Sequence, residues 1–152
     1  MIALLDQRDP LIAEQIYHLQ QASYAVERDL IEYPDFPPLA VTAQEIQEEP
    51  DTFLGYSLDD RLVGVLSFTL TPALLDIGRL IVHPHYFRRG IAGQLLQAVE
   101  DYANASIRIT VSTAEKNLPA VRLYQKHEYH LTERTVLRDG LALVRFFKSV
   151  GW

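Results

Sequence analysis

The chain has 152 residues, 48% apolar and 22% charged, with a formal net charge of −6 and no cysteine. That balance fits a single soluble globular domain over residues 1–152. It excludes disulfides, thiolate metal sites and a cysteine nucleophile, and it suits a reducing cytoplasm. An acidic surface repels nucleic-acid phosphate, no apolar run is long enough for a membrane span, and the N-terminal MIALLDQRDP does not read as a secretory signal.

Ile2–Leu5 is a short apolar run that predicts a first strand. Pro10 opens a helical pattern carried by Leu11, Ile12, Ile16, Leu19 and Ala22. From Tyr24 to Pro38 the pattern breaks, and the mixture of aromatics, acids and prolines predicts a long irregular or partly helical loop. Thr42 with Glu45 resembles a capping box for a short helix to about Glu49. Thr52–Leu58 and Leu62–Leu70, joined by Asp59-Asp60-Arg61, predict a hairpin. Leu74–Val82 follows as a strand. The next helix places Ile91, Leu95, Val99 and Tyr102 on one side, with Gln94, Gln97, Glu100 and Asp101 facing away. Ile107–Ser112 is a further strand, and a helix runs from about Leu118 to His127. Leu131–Leu137 and Leu141–Phe147 flank an Asp139-Gly140 hairpin turn. This order, β-α-α-β-β-β-α-β-α-β-β, argues a mixed sheet with helices on both faces.

The densest chemistry lies in Leu74–Tyr102, LLDIGRLIVHPHYFRRGIAGQLLQAVEDY. A strand feeds a Gly-rich, Arg-flanked turn at a helix start. Free backbone N–H groups and the helix dipole there make an anion site. Gly90, Ala92 and Gly93 allow close approach to a pyrophosphate, and Arg88 and Arg89 put positive charge on an acidic protein. The turn is neither a Walker loop, lacking Gly-Lys-Ser/Thr, nor a G-x-G-x-x-G fingerprint. A helix start with two solvated arginines has the same local pattern.

A second segment, VSTAEKNLPAVRLYQKHEY from Val111 to Tyr129, narrows the choice. Together the two resemble the GNAT superfamily of acyl-CoA N-acyltransferases. That family shows V-x-P-x-x-R/Q-x-x-G-x-G/A at the pyrophosphate loop, and N-x-x-A-x-x-x-Y-x-K-x-G-F further on. Here the first reads Val82-His83-Pro84…Arg88-Arg89-Gly90-Ile91-Ala92. The second reads Asn117, Ala120, Leu123, Tyr124, Lys126 and His127-Glu128-Tyr129. The likeness covers about Thr52–Phe147. It departs in two places: Phe87 stands where Gln or Arg is usual, and Glu128-Tyr129 replaces Gly-Phe.

The resemblance implies an α/β fold of the α+β mixed-sheet kind: about seven strands, mostly antiparallel, splayed at the centre, with helices on both faces. It implies acetyl-CoA as co-substrate, no metal, and a small-molecule or peptide amine as acceptor. Backbone groups at Leu80, Ile81 and Val82 would pair with the pantetheine arm and support the oxyanion. Arg88, Arg89, Gly90, Ile91, Ala92 and Gly93 would hold the pyrophosphate, Asn117 would contact the coenzyme arm, and Tyr124 would protonate the leaving thiolate. Tyr124 also shares a helical face with Ala120 and Val121, as a core aromatic would. Asp76 is the candidate base, six residues before Val82, and Glu27, Glu32 and Glu115 compete with it through water. The acceptor pocket falls on the first two helices and their connection, where Tyr24, Glu27, Glu32, Tyr33, Asp35 and Phe36 suit a cation. His83, His85, His127 and His130 lack a third clustered ligand for a metal. A homodimer through Phe146, Phe147 and Trp152 is a further expectation. A non-catalytic acyl-CoA-binding module of the same fold is the alternative reading.

Overall fold

The computed structural model describes residues 1–103 and 107–150. Its strands are β1 (Ile2–Leu5), β2 (Thr52–Leu58), β3 (Arg61–Leu70), β4 (Leu74–Val82), β5 (Arg108–Ala114), β6 (His130–Val136) and β7 (Ala142–Ser149). They form one sheet in the order β1-β2-β3-β4-β5-β7-β6. Every neighbouring pair is antiparallel except β4 and β5. The two-residue turn between β2 and β3 is set by Asp59 and Asp60, both at positive φ (48° and 62°), as a twist-matched hairpin needs.

Four α-helices cover the sheet: α1 (Pro10–Ile31), α2 (Ala43–Glu48), α3 (Ile91–Val99) and α4 (Leu118–Lys126). On one face, Ala13, Ile16 and Leu19 of α1 and Ile46 of α2 pack against Phe53, Val65 and Ile81. On the other, Ile91, Leu95, Leu96 and Val99 of α3 and Tyr124 of α4 pack with Leu66, Phe68, Leu75, Ile77, Ile109, Val111 and Phe146. Strand alternation sends Ile81 to one core and Val82 to the other. Each large apolar side chain so buried contributes roughly 1.5–3 kcal/mol.

Two expectations are corrected here. The chain does not become irregular at Tyr24, because α1 continues to Ile31 and ends on Glu32 in the left-handed conformation (φ 57°). Helical spacing persists through Ala13, Ile16, Gln20, Tyr24, Glu27 and Ile31, with polar members replacing apolar ones. The prolines act only afterwards, in a 3-10 turn over Pro37–Ala40. Gln21 Nε2 holds that turn against α1 by donating to Leu39 O at 2.9 Å. Phe146, one of the terminal aromatics expected to serve a homodimer, is also not at the surface. Phe146 is 2% exposed in the core, Phe147 carries the Arg108 guanidinium 4.3 Å above its ring, and Trp152 lies outside the described residues.

No helix among the described residues is long and apolar enough to cross a membrane.

Candidate active site

The turn after β4 is built by its own backbone. His83 N–H still bonds to Val63 O at 2.8 Å, and Pro84–Tyr86 forms a single 3-10 turn. Arg88 and Gly90 then take positive φ (64° and 78°), which aims the chain into α3. A Cβ at Gly90 would meet nothing within 4 Å, so the glycine serves backbone conformation, and the turn opens onto free space. Among the described residues, none of the amide N–H groups of Arg88, Arg89, Gly90, Ile91, Ala92 or Gly93 has an acceptor within the protein. The first that does is Gln94, bonded to Gly90 O at 3.0 Å. Six free donors at a helix N-terminus, with two arginines beside them, form a cradle for an anion. Arg89 rests over the Tyr86 ring at 5.0 Å. Gly93 has another use: a Cβ there would lie 2.9 Å from His127 Nε2, so its smallness lets α4 approach α3.

β4 and β5 pair only over Leu74–Ile77 and Arg108–Val111, then diverge. The divergence opens a cleft of about 300 Å³ between Gly78, Arg79 and Leu80 on one side and Ser112, Thr113 and Ala114 on the other. His83 bonds to β3, so the antiparallel alternation gives Ile81 and Arg79 to β3 and turns the backbone groups of Leu80 and Val82 toward the opening. These two residues therefore present unpaired strand edge where an extended ligand arm could add. Ile81 does not: its backbone faces β3, and its side chain is buried under α1.

Three side chains converge at the cleft. Asn117 caps α4 by accepting from Ala120 N at 3.3 Å, and its Nδ2 donates to Glu27 Oε1 at 2.7 Å. Both of its polar groups thus already have partners inside the protein, the second of them across the cleft on α1. Burial pushes the Glu27 carboxyl up, and the Asn117 hydrogen bond pulls it part of the way back. Tyr124, 5% exposed and packed on Tyr129 and Phe146, also lines the cleft. Its phenol is pushed well above the ordinary value, first by burial and then by the Glu27 charge. The gap between this phenol and a thiol is therefore wider than their free values of about 10 and 8.5.

Beside them Arg79, 9% exposed, forms a two-pronged pair with Glu49 at 2.7 and 3.0 Å and lies next to Tyr24. Arg79 was not singled out from the sequence. A basic residue among the apolar positions of a strand was the available signal. Tyr24 and Phe36 meet edge to face at 5.7 Å on the cleft wall.

The structure does not bring the remaining candidates into the cleft. Asp76 accepts from Thr110 Oγ1 at 2.6 Å, lies 3.7 Å from Arg145, and is not part of the cleft lining. Glu115 pairs with Arg134, and Glu32 with Lys116 at 3.0 Å, both at the surface. Tyr33 donates to Asp139 at 2.5 Å, and Asp35 is exposed. No group of three or more His, Cys, Asp or Glu among the described residues could hold a metal ion.

The model of the acetyltransferase (GNAT) family matches residues 13–129. The chain belongs to the acetyltransferase (GNAT) family. As a GNAT chain it is similar to the UPF0157 protein YqkA of Bacillus subtilis (strain 168), with 36% identity over 146 residues. The match covers 96% of this chain but 43% of that protein, so the chain spans less than half the length of this relative. The fold is that of the ribosomal-protein-S18-alanine N-acetyltransferase from Escherichia coli (TM-score 0.77, 13% identity, 100% and 94% of the two chains covered). It is equally that of PaiA N-acetyltransferase from Thermoplasma acidophilum, solved in complex with coenzyme A (TM-score 0.77, 15% identity, 99% and 98% covered).

Proposed function

We propose that this chain is an acetyl-CoA-dependent N-acetyltransferase that transfers to a primary amine by direct attack within a ternary complex. The observation that carries the reading is the continuity of two features. The free amides of Arg88–Gly93 lead along the unpaired backbone of Leu80 and Val82 to the cleft where Glu27 and Tyr124 sit. The amide turn suits a diphosphate and the strand edge suits an amide-containing arm, so the cradle fits coenzyme A.

Bound acetyl-CoA supplies an activated thioester carbonyl. Glu27, rather than Asp76, is the base in this account. An amine arrives as an ammonium with pKa near 10.4, and Glu27 in the cleft wall draws it in and accepts a proton that passes to solvent. As the new N–C bond forms and the C–S bond breaks, Glu27, its first proton already given to solvent, takes the second proton from nitrogen, and the sulfur takes the Tyr124 hydroxyl proton. Solvent then returns a proton to Tyr124 as Glu27 releases its own. Burial opposes a phenolate at Tyr124 first and the Glu27 charge second, so the proton that Glu27 takes from nitrogen removes the second of these as Tyr124 gives up its own. Asn117 acts as a positioning residue by holding the Glu27 carboxylate with its amide.

The test is thiol release from acetyl-CoA with a panel of amines. Tyr124→Phe should lower kcat by about 10²-fold while coenzyme affinity holds. Coenzyme binding without thiol release for any amine would replace this reading with that of an acyl-CoA-binding module.

A further inference from the structure

The cleft carries more information about the acceptor than the fold does. Its wall opposite β4 is made by Ile31, Phe36, Leu141 and Leu143, with the Tyr24 ring packed against Phe36. Within the described lining Glu27 is the single carboxylate, and the single cation, Arg79, is cancelled by its two-pronged contact with Glu49. The site thus offers one uncompensated negative charge beside an apolar and aromatic wall, with Ser112, Thr113 and Asn117 as the neutral polar part of the lining. Two surface contacts tie the rim: Tyr33 to Asp139 on the β6–β7 turn, and Glu32 to Lys116 beside Asn117.

We infer that the acceptor is a compact monoamine with an apolar, preferably aromatic, body: its ammonium meets Glu27 while its body lies against Phe36, Ile31, Leu141 and Leu143. The inference rests on the transferase reading above. A ligand with one positive charge satisfies the one free carboxylate. A polyamine or an aminoglycoside would carry further ammonium groups against an apolar wall, losing hydration with no partner to replace it. A peptide acceptor would bring backbone N–H and C=O groups to a wall made of side-chain carbon. The space points the same way, since about 300 Å³ must hold the thioester end and the acceptor together. Tyr24 and Phe36 add face or edge contacts to a flat ring and to the ammonium itself.

The test compares kcat/KM for benzylamine and 2-phenylethylamine with that for spermidine, kanamycin and an alanine-initiated peptide, all with acetyl-CoA and the intact protein. The aromatic monoamines should lead by at least about 50-fold, the scale set by leaving one charged group unpaired. A second arm uses Leu143→Asp, with its fold checked by an unchanged thermal response to coenzyme A. A second carboxylate on the wall should move the ratio of 1,4-diaminobutane to benzylamine upward by about tenfold. Turnover of spermidine, kanamycin or the peptide that equals or exceeds the monoamines overturns the inference and leaves the N-acetyltransferase reading standing. An unmoved ratio in Leu143→Asp overturns the placement of the acceptor on this wall. Thiol release with none of the amines, despite coenzyme binding, overturns both readings together.

Discussion

Glu27 and Tyr124 illustrate how position sets chemistry for single residues. Neither type is unusual, but burial pushes both groups above their ordinary values, and the Glu27 charge adds to the rise at Tyr124. For Glu27 the linkage has a definite sign. A carboxyl raised by folding favours the protonated form, so its contribution to stability is full below the unfolded pKa. That contribution is lost as pH rises from the ordinary glutamate value through the folded one. Glu27→Gln should therefore be no less stable than the native protein at neutral pH in a urea titration. It should nevertheless lose about 10²-fold in kcat/KM. The acid limb of the native pH–rate profile should lie above the ordinary carboxylate range and should vanish in Glu27→Gln, leaving only the rise set by the amine. A limb that survives the substitution would assign it to another group.

Arg79 shows the complementary case of a charge held for structure. Its guanidinium is nearly buried and Glu49 is 25% exposed, so removing one partner leaves a charge with little water around it. Glu49→Gln should cost about 3 kcal/mol by chemical denaturation. A cost near zero would mean that the pair is already well hydrated.

Among the elements, the hairpins, β4, α3 and the capped α2 were legible in the sequence, because each has a short-range cause. Asp59-Asp60 and Asp139-Gly140 turn the chain. Thr42 and Glu45 form the reciprocal cap, with Glu45 N–H donating to Thr42 Oγ1 at 3.1 Å. The C-terminal third of α1 was not legible. There the helix face turns from core to cleft, and Gln20, Tyr24 and Glu27 fill positions where an apolar period was sought. A cleft wall disguised a regular element. Asp76, the first base candidate, had the expected offset along the strand, but its side chain goes to Thr110 and Arg145, while Glu27, one of the candidates competing with it, reaches the cleft from α1.

The end of α4 makes a prediction at this scale. Glu128 replaces the glycine usual there and holds φ at 68°, with Tyr129 N–H bonded to Tyr124 O at 2.9 Å. The turn keeps its geometry and bears the strain of a Cβ in the left-handed region. Glu128→Gly should raise stability by about 0.5–1 kcal/mol, the steric relief exceeding the added freedom of the unfolded chain. A loss of stability in equilibrium unfolding would contradict this account of the turn.

Across the whole molecule, one parallel pairing interrupted after four residues creates the site. Antiparallel neighbours hold β4 through β3 and β5 through β7, so each half of the sheet stays rigid while the centre opens. The opening faces α1 and α4 and leads to the turn at the start of α3. The order of elements could be read along the chain, whereas the point at which β4 and β5 part could not, because it depends on pairing between strands about thirty residues apart.

In the proposed transferase the free amides of Arg88–Gly93 grip the diphosphate of coenzyme A. An amide-resolved proton–nitrogen NMR titration of the intact protein with coenzyme A tests it most directly. The largest shifts should fall on the backbone N–H groups of Arg88, Arg89, Gly90, Ile91, Ala92 and Gly93, with lesser shifts at Leu80 and Val82. A saturating titration that leaves those six signals in place would contradict the account.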